Sequence, residues 1–590
     1  MVENEDQGKE KKHYTVVIER MALAGTKVLI WALIAGVTWY YFWIKYTQRL
    51  DIASPEAFEY AQIARNNLHG EWFRTNMIRP VGLWLDPRLH DHPDRYHPPG
   101  YSVVLAGLML IGGANNGSLL AGSAVFYFLV IPVLYFASRA MFGKRIARLG
   151  LAFYIIMPAL GVAAVSGTPA MLATFLITTL FALLSAVRPR RYLVTALAGL
   201  ALGACALTAS RYALLILPAV GYLVLTLRRR AWAHVPILVG IAVLSVVPWA
   251  WRNVRVSGSP WPPMEWASSH QLVPEREADT EAGQRTVFAA PHAVERSFSP
   301  AALRTTLGWR DMLRAFFQNL RIALGDLAGY VTQSVLVILF LAGVLVRLKN
   351  RYAEWFRIAL YVAIVIDLTG GAVARPDSFL LLPYLPFIVV LGTVALFELT
   401  QRLGYSRPIS RFAVIAVVIA VAIGQTIVST NPAGAFTEAD RHRAYTCRIL
   451  EHFAQENLLE PDAVVLSNVP WHTAWYLDRP SIWLPPDYED LMRIRMQTDE
   501  KITFAFLAGY ALNESDPSYE IWERGFREGR MPDSFGLTPF LSTIFSRWEH
   551  VYTSFISLER REVLRQEAEE PQETPEPSGQ DERPKNEEEP

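Results

Sequence analysis

Long apolar runs separated by short polar breaks fill most of the chain. The first runs from about Val28 to Ile44, with Trp and Tyr crowded at its far end. That pattern predicts a membrane helix closed by an interfacial aromatic belt. Further runs cover 118–140, 148–165, 169–187, 193–209, 211–227, 235–251, 330–346, 358–373, 378–399 and 412–429. The spacing therefore predicts about eleven spans, each near the ~20 residues that cross ~30 Å of hydrocarbon. The stretch 99–112 is also apolar but short for a crossing, and reads as an interfacial or re-entrant helix.

The polar breaks give the orientation. Lys and Arg cluster at 143–148, 188–191, 228–230, 347–351 and 401–411, which is every second loop. With the N-terminus inside, all of them face the cytoplasm. Residues 1–13 are charged and carry no cleavage signature, so 1–27 reads as a cytoplasmic tail rather than a removable signal peptide. The membrane domain then spans 28–429. Its external loops are 45–117 and 252–329, and everything after 430 is also external.

The external C-terminal part changes period. Ala463–Ser467, Ser481–Leu484 and Ile502–Leu507 read as strands, with helices at His472–Leu477 and Tyr488–Met496 between them. That alternation predicts a small α/β domain within 430–565. Residues 566–590 are acidic and rich in Pro, and cannot bury enough apolar surface to fold. The predicted fold class is thus a polytopic α-helical membrane protein with a small external α/β domain.

Composition narrows the function classes. Of 590 residues, 52% are hydrophobic and 19% charged, against about 25% charged in an average soluble protein. Lys+Arg (56) and Asp+Glu (55) nearly cancel, so no net positive field exists to bind nucleic acid. Two cysteines, Cys205 in a span and Cys447 outside, cannot form a disulfide scaffold.

Candidate chemistry concentrates in the first external loop. Ser54 and Pro55 suit a helix cap and first turn. Glu56, Tyr60, Ile63 and Asn67 then share one helical face. The helix dipole favours an ionised carboxylate at Glu56, fit to act as a base. A plain helix-capping acid is the other reading. Asp51, five residues earlier, is the rival base. Further on, His90, His92 and His97 fall close to Asp91 and Asp94. Imidazole and carboxylate together suit a divalent metal, for which His90, His92 and Asp94 are the candidate ligands. A solvated polar loop is the alternative, and no cofactor is required. Arg211 and Arg375 stand at the predicted external ends of spans. A guanidinium there can hold a lipid phosphate bidentately or simply snorkel to the headgroups. The aromatic segment 468–480 could stack on a sugar or pack a strand–helix corner.

These residues resemble the GT-C superfamily of membrane glycosyltransferases, in particular the protein O-mannosyltransferase and lipid A aminoarabinose transferase type. The likeness rests on Glu56-Ala-Phe-Glu-Tyr-Ala-Gln-Ile-Ala-Arg65 and on Arg95-Tyr-His-Pro-Pro-Gly-Tyr101. Gly113–Asn116, the Gly-rich span leading to Arg211, Pro248–Asn253 and the Arg375 segment entering Pro383-Tyr-Leu-Pro386 extend it over roughly 20–430. The resemblance implies an inverting transfer of a sugar from a polyprenyl-phosphate donor to an acceptor hydroxyl at the outer face of the cytoplasmic membrane. The acceptor would be a glycolipid, a protein or a cell-wall polymer. It implies Glu56 as base, Arg211, Arg375 and His97 as phosphate ligands, and Tyr60, Glu59 and Tyr96 against substrate. A second acid is expected near Ala173 and is missing: either Asp51, Glu59 or Asp94 substitutes, or the chemistry needs only one acid. The Trp-Trp-Asp signature of oligosaccharyltransferases is also missing. The competing classes are a transporter or flippase of a lipid-linked glycan and a non-catalytic scaffold.

Overall fold

The computed structural model describes residues 54–258, 335–373, 381–402, 416–425 and 438–554 with short interruptions, together with isolated positions elsewhere. The first predicted span (28–44), Asp51, Arg375, most of the 252–329 loop and the 566–590 tail lie outside the described residues.

The chain enters the described part through helix α1 (Pro55–Leu68), followed by a two-residue strand β1 (Met77–Ile78). Helix α2 (Pro99–Gly112) is the short apolar stretch of the first loop. At ~1.5 Å per residue it reaches only ~21 Å, short of a crossing. Its Tyr101, Leu105 and Met109 are buried, while Val103, Leu110 and Ile111 are exposed. Helix α3 (Asn116–Phe142) is long enough to span. The run predicted at 148–165 is two helices, Lys144–Ile156 and Pro158–Ala164, bent by 62°. Pro158 causes the break, because proline disfavours the helical conformation of the residue before it.

Helices α4 (Ala170–Ala186) and α5 (Tyr192–Thr208) follow, then Ile216–Leu227 and α6 (Ala231–Ser257). Three helical segments are long and apolar enough to cross a membrane among the described residues: Asn116–Phe142, Ser210–Ser257 and Leu382–Arg402, with the bent pair as a fourth. The 48-residue run Ser210–Ser257 is about twice a bilayer at ~1.5 Å per residue. Arg228 divides it with a left-handed φ of 52°, so the runs 211–227 and 235–251 form separate helices. Later come α7 (Arg351–Val373) and α8 (Leu385–Arg402). Nearly all of α8 is buried, as expected of a helix apolar all round.

Small residues set the close contact between α5 and α6. A Cβ on Gly199 would stand 2.6 Å from the Leu238 carbonyl oxygen, and one on Gly203 2.6 Å from Ser245 Cβ. This Gly-x-x-x-Gly face brings α5 against the α6 backbone, the packing that membrane helices use where no hydrophobic force separates protein from lipid.

The C-terminal part forms a six-stranded sheet in the order β1-β3-β2-β4-β6-β5. Its strands are β2 (Val464–Ser467), β3 (Ser481–Trp483), β4 (Ile502–Ala508), β5 (Leu537–Pro539) and β6 (Glu549–Ser554). Strands β1 to β4 pair in parallel, and β6 joins antiparallel. Between β2 and β3 lies helix α9 (Pro470–Tyr476). The sequence pattern located β2, β3, β4 and α9 to within about two residues. It gave no sign of β1, which comes from the segment between α1 and α2: Met77 pairs with Ser481 and Ile78 with Ile482. The sheet is therefore built from two regions that the sequence reading kept apart.

Candidate active site

Helix α1 begins as its sequence requires. Ser54 is extended and its hydroxyl accepts from the Ala57 amide at 3.3 Å, with Pro55 at the first position. Glu56 is half-buried in that first turn, where the helix dipole favours an anion. One turn on, Glu59 and Tyr60 are buried.

The polar face of α1 organises the rest of the loop. Gln62 donates to Thr75 Oγ1 at 2.7 Å and accepts from the Asn76 amide at 2.7 Å. Asn67 Oδ1 accepts from the Phe73 amide. The 73–76 segment then bonds to 92–94 through Thr75 N to His92 O and Asp94 N to Phe73 O. Arg252, at the end of α6, donates to the carbonyls of Asp94 (2.7 Å) and Phe73 (3.2 Å), which fastens both segments to the bundle.

At the centre is a buried charge network. Arg79 Nη2 lies 2.6 Å from Glu59 Oε2. His97 Nε2 lies 2.8 Å from the same oxygen, and His97 Nδ1 lies 3.2 Å from Asp94 Oδ1. The Nε2 contact is an ion pair without the alignment of a hydrogen bond. Asp94 also accepts from the His97 amide at 2.9 Å, so it fixes the turn that presents the ring. Burial disfavours the charged form of His97, but Asp94 and Glu59 outweigh it and raise the imidazole to about 9. Burial likewise pushes Glu59 up, yet Arg79 and His97 together hold it below its ordinary value. Asp94 is lowered for the same reason, with His97 overcoming desolvation. His97 is thus a buried cation between two carboxylates.

Aromatic rings enclose this network. Tyr60 meets the His97 ring edge-on at 4.6 Å and Tyr101 at 5.3 Å. Tyr96 lies against His97 at 4.8 Å and beneath the Arg79 guanidinium at 4.2 Å. Tyr60, Glu59 and Tyr96, expected against substrate, are engaged with Arg79 and His97. His97 itself, expected as a direct phosphate ligand, has both ring nitrogens on carboxylates.

The charge of Glu56 is felt at Tyr101, whose hydroxyl donates to the Gly167 carbonyl at 2.7 Å. Gly167 has φ of +72°, and a Cβ there would meet Ala57 Cβ at 3.0 Å. The turn before α4 is therefore pressed onto the first turn of α1. Ala173, where a second acid was sought, is buried in α4. At the other side of the site, a Cβ on Gly100 would stand 2.7 Å from the Leu207 carbonyl. This seats the start of α2 on the end of α5, four residues before Arg211. Arg211 Nη2 donates to Tyr212 Oη at 3.0 Å, and its Nε lies 3.7 Å from buried Asp367 on α7.

The candidate metal ligands are not brought together. Among the described residues no three His, Cys, Asp or Glu side chains are placed to hold an ion. His90 is exposed, His92 Nδ1 lies 3.0 Å from the Arg88 carbonyl oxygen, and Asp94 is bound to His97. Burial lowers His92 to about 4 and keeps it neutral. The 468–480 aromatics also resolve: Trp471, His472 and Trp475 are buried, so they pack the strand–helix corner.

Residues 96–251 match the family model described as dolichyl-phosphate-mannose-protein mannosyltransferase. The structure of ArnT from Cupriavidus metallidurans bound to undecaprenyl phosphate superposes with a TM-score of 0.56 at 13% identity, over 89% of this chain and 98% of that one. The chain shares its fold with ArnT, one of the GT-C glycosyltransferases. ArnT in the apo state gives 0.54 at 14% identity, over 91% and 99%. The Archaeoglobus fulgidus oligosaccharyltransferase tethered with an acceptor peptide gives 0.51 at 12%, over 86% of this chain and 72% of that one. No curated protein matches the chain in sequence. The resemblance to the GT-C superfamily read from the first-loop motifs is thus borne out by fold, and the matched 96–251 begins at Tyr96, beside His97.

Sequence reasoning missed two charged partners within this GT-C frame. Arg79 pairs with Glu59 from twenty residues further along the chain, and that pairing leaves no sequence signal. Asp367 had one: it is an acid inside the apolar run 358–373, and a carboxylate in a predicted span calls for a functional explanation.

Proposed function

We propose that this chain is an inverting glycosyltransferase that moves a sugar from a polyprenyl-phosphate donor to an acceptor hydroxyl at the outer face of the cytoplasmic membrane. The observation that carries the reading is the half-buried Glu56 carboxylate in the first turn of α1, within a GT-C fold. ArnT binding undecaprenyl phosphate supports a lipid-linked donor, and the matched family description supports a sugar phosphate of that class.

In the proposed step the acceptor oxygen attacks the anomeric carbon from the side opposite the phosphate. A new C–O bond forms as the bond to the phosphate oxygen breaks. The electron pair leaves as polyprenyl phosphate, the acceptor proton passes to Glu56, and the anomeric centre inverts. Arg211 and Arg375 hold the departing phosphate. The His97 cation acts behind them by fixing Glu59 and the loop. The proposed topology has eleven spans, a cytoplasmic N-terminus, and the C-terminal region on the outer side with the site.

The test compares glycolipids and glycoproteins by mass spectrometry in cells with and without the gene. One hexose or pentose mass is lost without it, and the wild-type gene restores that mass. Glu56→Gln does not restore it, although the protein accumulates in the membrane normally. Full restoration by Glu56→Gln together with failure of Asp51→Asn moves the base to Asp51. Restoration by both variants rejects the enzyme reading in favour of a transporter.

A further inference from the structure

The C-terminal end of α1 is attached to α9, beside the sheet, through a single side chain. Arg65 Nη1 donates to the Trp475 carbonyl at 2.7 Å and Nη2 to the Ala474 carbonyl at 2.9 Å. Nη2 also lies 2.6 Å from Asp478 Oδ1. The guanidinium sits 4.9 Å from the Trp475 ring centre, with only 12% of the side chain exposed. The two carbonyls belong to the last turn of α9, where no following amide of the helix is available to them. A planar fork matches two adjacent carbonyls in a way that an ammonium cannot.

Other contacts run along the same seam. The Phe58 ring lies 4.8 Å from His472 and 5.8 Å from Tyr476. Asn116, at the start of α3, accepts from Trp475 Nε1 and donates to Tyr476 Oη, both at 2.9 Å. Asn76 donates to Asp478 at 3.1 Å, and β1 extends the sheet itself. These hold the seam together, but Arg65 is the charged group of α1 that grips it.

Arg65 stands nine residues after Glu56 on one continuous helix, ~14 Å along its axis at ~1.5 Å per residue. The first turn of α1 rests on the Gly167 turn, and its last turn is held by Arg65. A helix is stiff over this length, so the angle of α1 depends on both ends.

We propose that Arg65 is a positioning residue, which sets the direction of α1, and hence the place of Glu56, by closing the C-terminal end of α9. The inference rests on the assignment of Glu56 as the base. It makes the external sheet part of the machinery for the transfer step, because a shift of α9 is carried to Glu56 through Arg65.

The test uses purified full-length protein in nanodiscs. Arg65→Met keeps the stem over Trp475 and removes the fork, Arg65→Lys keeps the charge, and Asp478→Asn removes only the half-exposed partner. Hydrogen exchange needs no substrate. Arg65→Met is expected to speed exchange in 55–68 and 470–478 at least tenfold, with α3 to α6 unchanged. Turnover of radiolabelled undecaprenyl-phosphate-mannose is expected to show kcat lowered about 10²-fold, the size of effect a misplacement near 1 Å produces, with donor KM within twofold. Arg65→Lys recovers part of kcat, and Asp478→Asn stays within threefold of wild type. Unchanged exchange in 55–68, or a uniform rise across all helices, overturns the proposal. Glu56→Gln run in parallel separates the two claims. An inactive Glu56→Gln with a fully active Arg65→Met removes the positioning role alone. An active Glu56→Gln removes the base and the positioning role with it.

Discussion

His97 Nε2, in the segment between α1 and α2, lies 2.8 Å from Glu59 Oε2 on α1. The partner of a buried carboxylate here is itself titratable, and this gives the fold a pH window. Burial alone would lower His97, but Asp94 and Glu59 raise it from 6.5 to about 9. The stabilisation from protonated His97 is complete below pH 6.5 and is lost as pH rises through about 9. Burial would raise Glu59 and Asp94, but Arg79 and His97 hold Glu59 below its ordinary 4.5, and His97 and Arg252 hold Asp94 below its ordinary 3.8. Their contribution is present above those values and is lost as pH falls through the lower folded ones. The melting temperature of the purified protein should therefore decline between pH 6.5 and 9, and separately in strong acid. A flat profile from pH 6.5 to 9 would show that His97 is neutral in the folded protein.

Removing the imidazole isolates the same network from the other side. In His97→Gln the buried Asp94 loses its charged partner and Glu59 keeps only Arg79. Breaking a buried ion pair by deleting one partner costs about 3–5 kcal/mol. The expected result is a loss of that order in denaturant titrations at pH 6.5 and a much shallower decline toward pH 9. His97→Lys, which restores a cation, should recover part of the loss. Equal stability of His97→Gln and wild type would mean that the contact contributes nothing.

Gly167 tests how closely the turn before α4 must approach α1. An alanine there would hold a left-handed φ of +72° and bring its Cβ to 3.0 Å from Ala57. The backbone strain costs about 1–3 kcal/mol, and the crowding falls on the turn that carries Glu56. Gly167→Ala should lower both melting temperature and turnover. An unaffected enzyme would place the Glu56 turn elsewhere.

His90 provides a negative control for metal chemistry. It is exposed, while His92 faces the Arg88 carbonyl and Asp94 is bound to His97. His90→Ala should leave turnover within twofold of wild type at every pH. A large loss, restored by added divalent ion, would return the histidines to the mechanism.

The parts of the structure legible in the sequence are those fixed by local pattern. The Ser54-Pro55 cap, α3, α5 and the strands β2 to β4 follow from capping chemistry and hydrophobic period, which act over a few residues. What was not legible depends on partners distant in the chain. Strand β1 has two residues and no pattern of its own, and it exists because Ser481 and Ile482 offer an edge. The His-Asp cluster looked like metal ligands because composition does not say which way side chains turn. Only the folded loop shows that His97 is spent on Glu59 and Asp94, and that Glu59 also meets Arg79.

Arg211 is where fold and proposed chemistry meet most directly. Its Nε lies 3.7 Å from Asp367, and its Nη2 donates to Tyr212 Oη. Asp367 is buried, so an uncharged residue at 211 would strand a carboxylate and confuse loss of folding with loss of binding. Arg211→Lys avoids this by keeping a cation near Asp367. It gives up the planar fork, which is what bidentate grip on a phosphate requires. A hydrogen bond to a charged group contributes about 1.5–3 kcal/mol, so losing one should raise donor KM at least about tenfold. If the phosphate is held equally in ground and transition states, kcat should barely move. A fall in kcat at unchanged KM would instead place Arg211 on charge that develops only as the phosphate departs. Unchanged kinetics would leave Arg211 as a structural partner of Asp367 and move the phosphate site away from the end of α5.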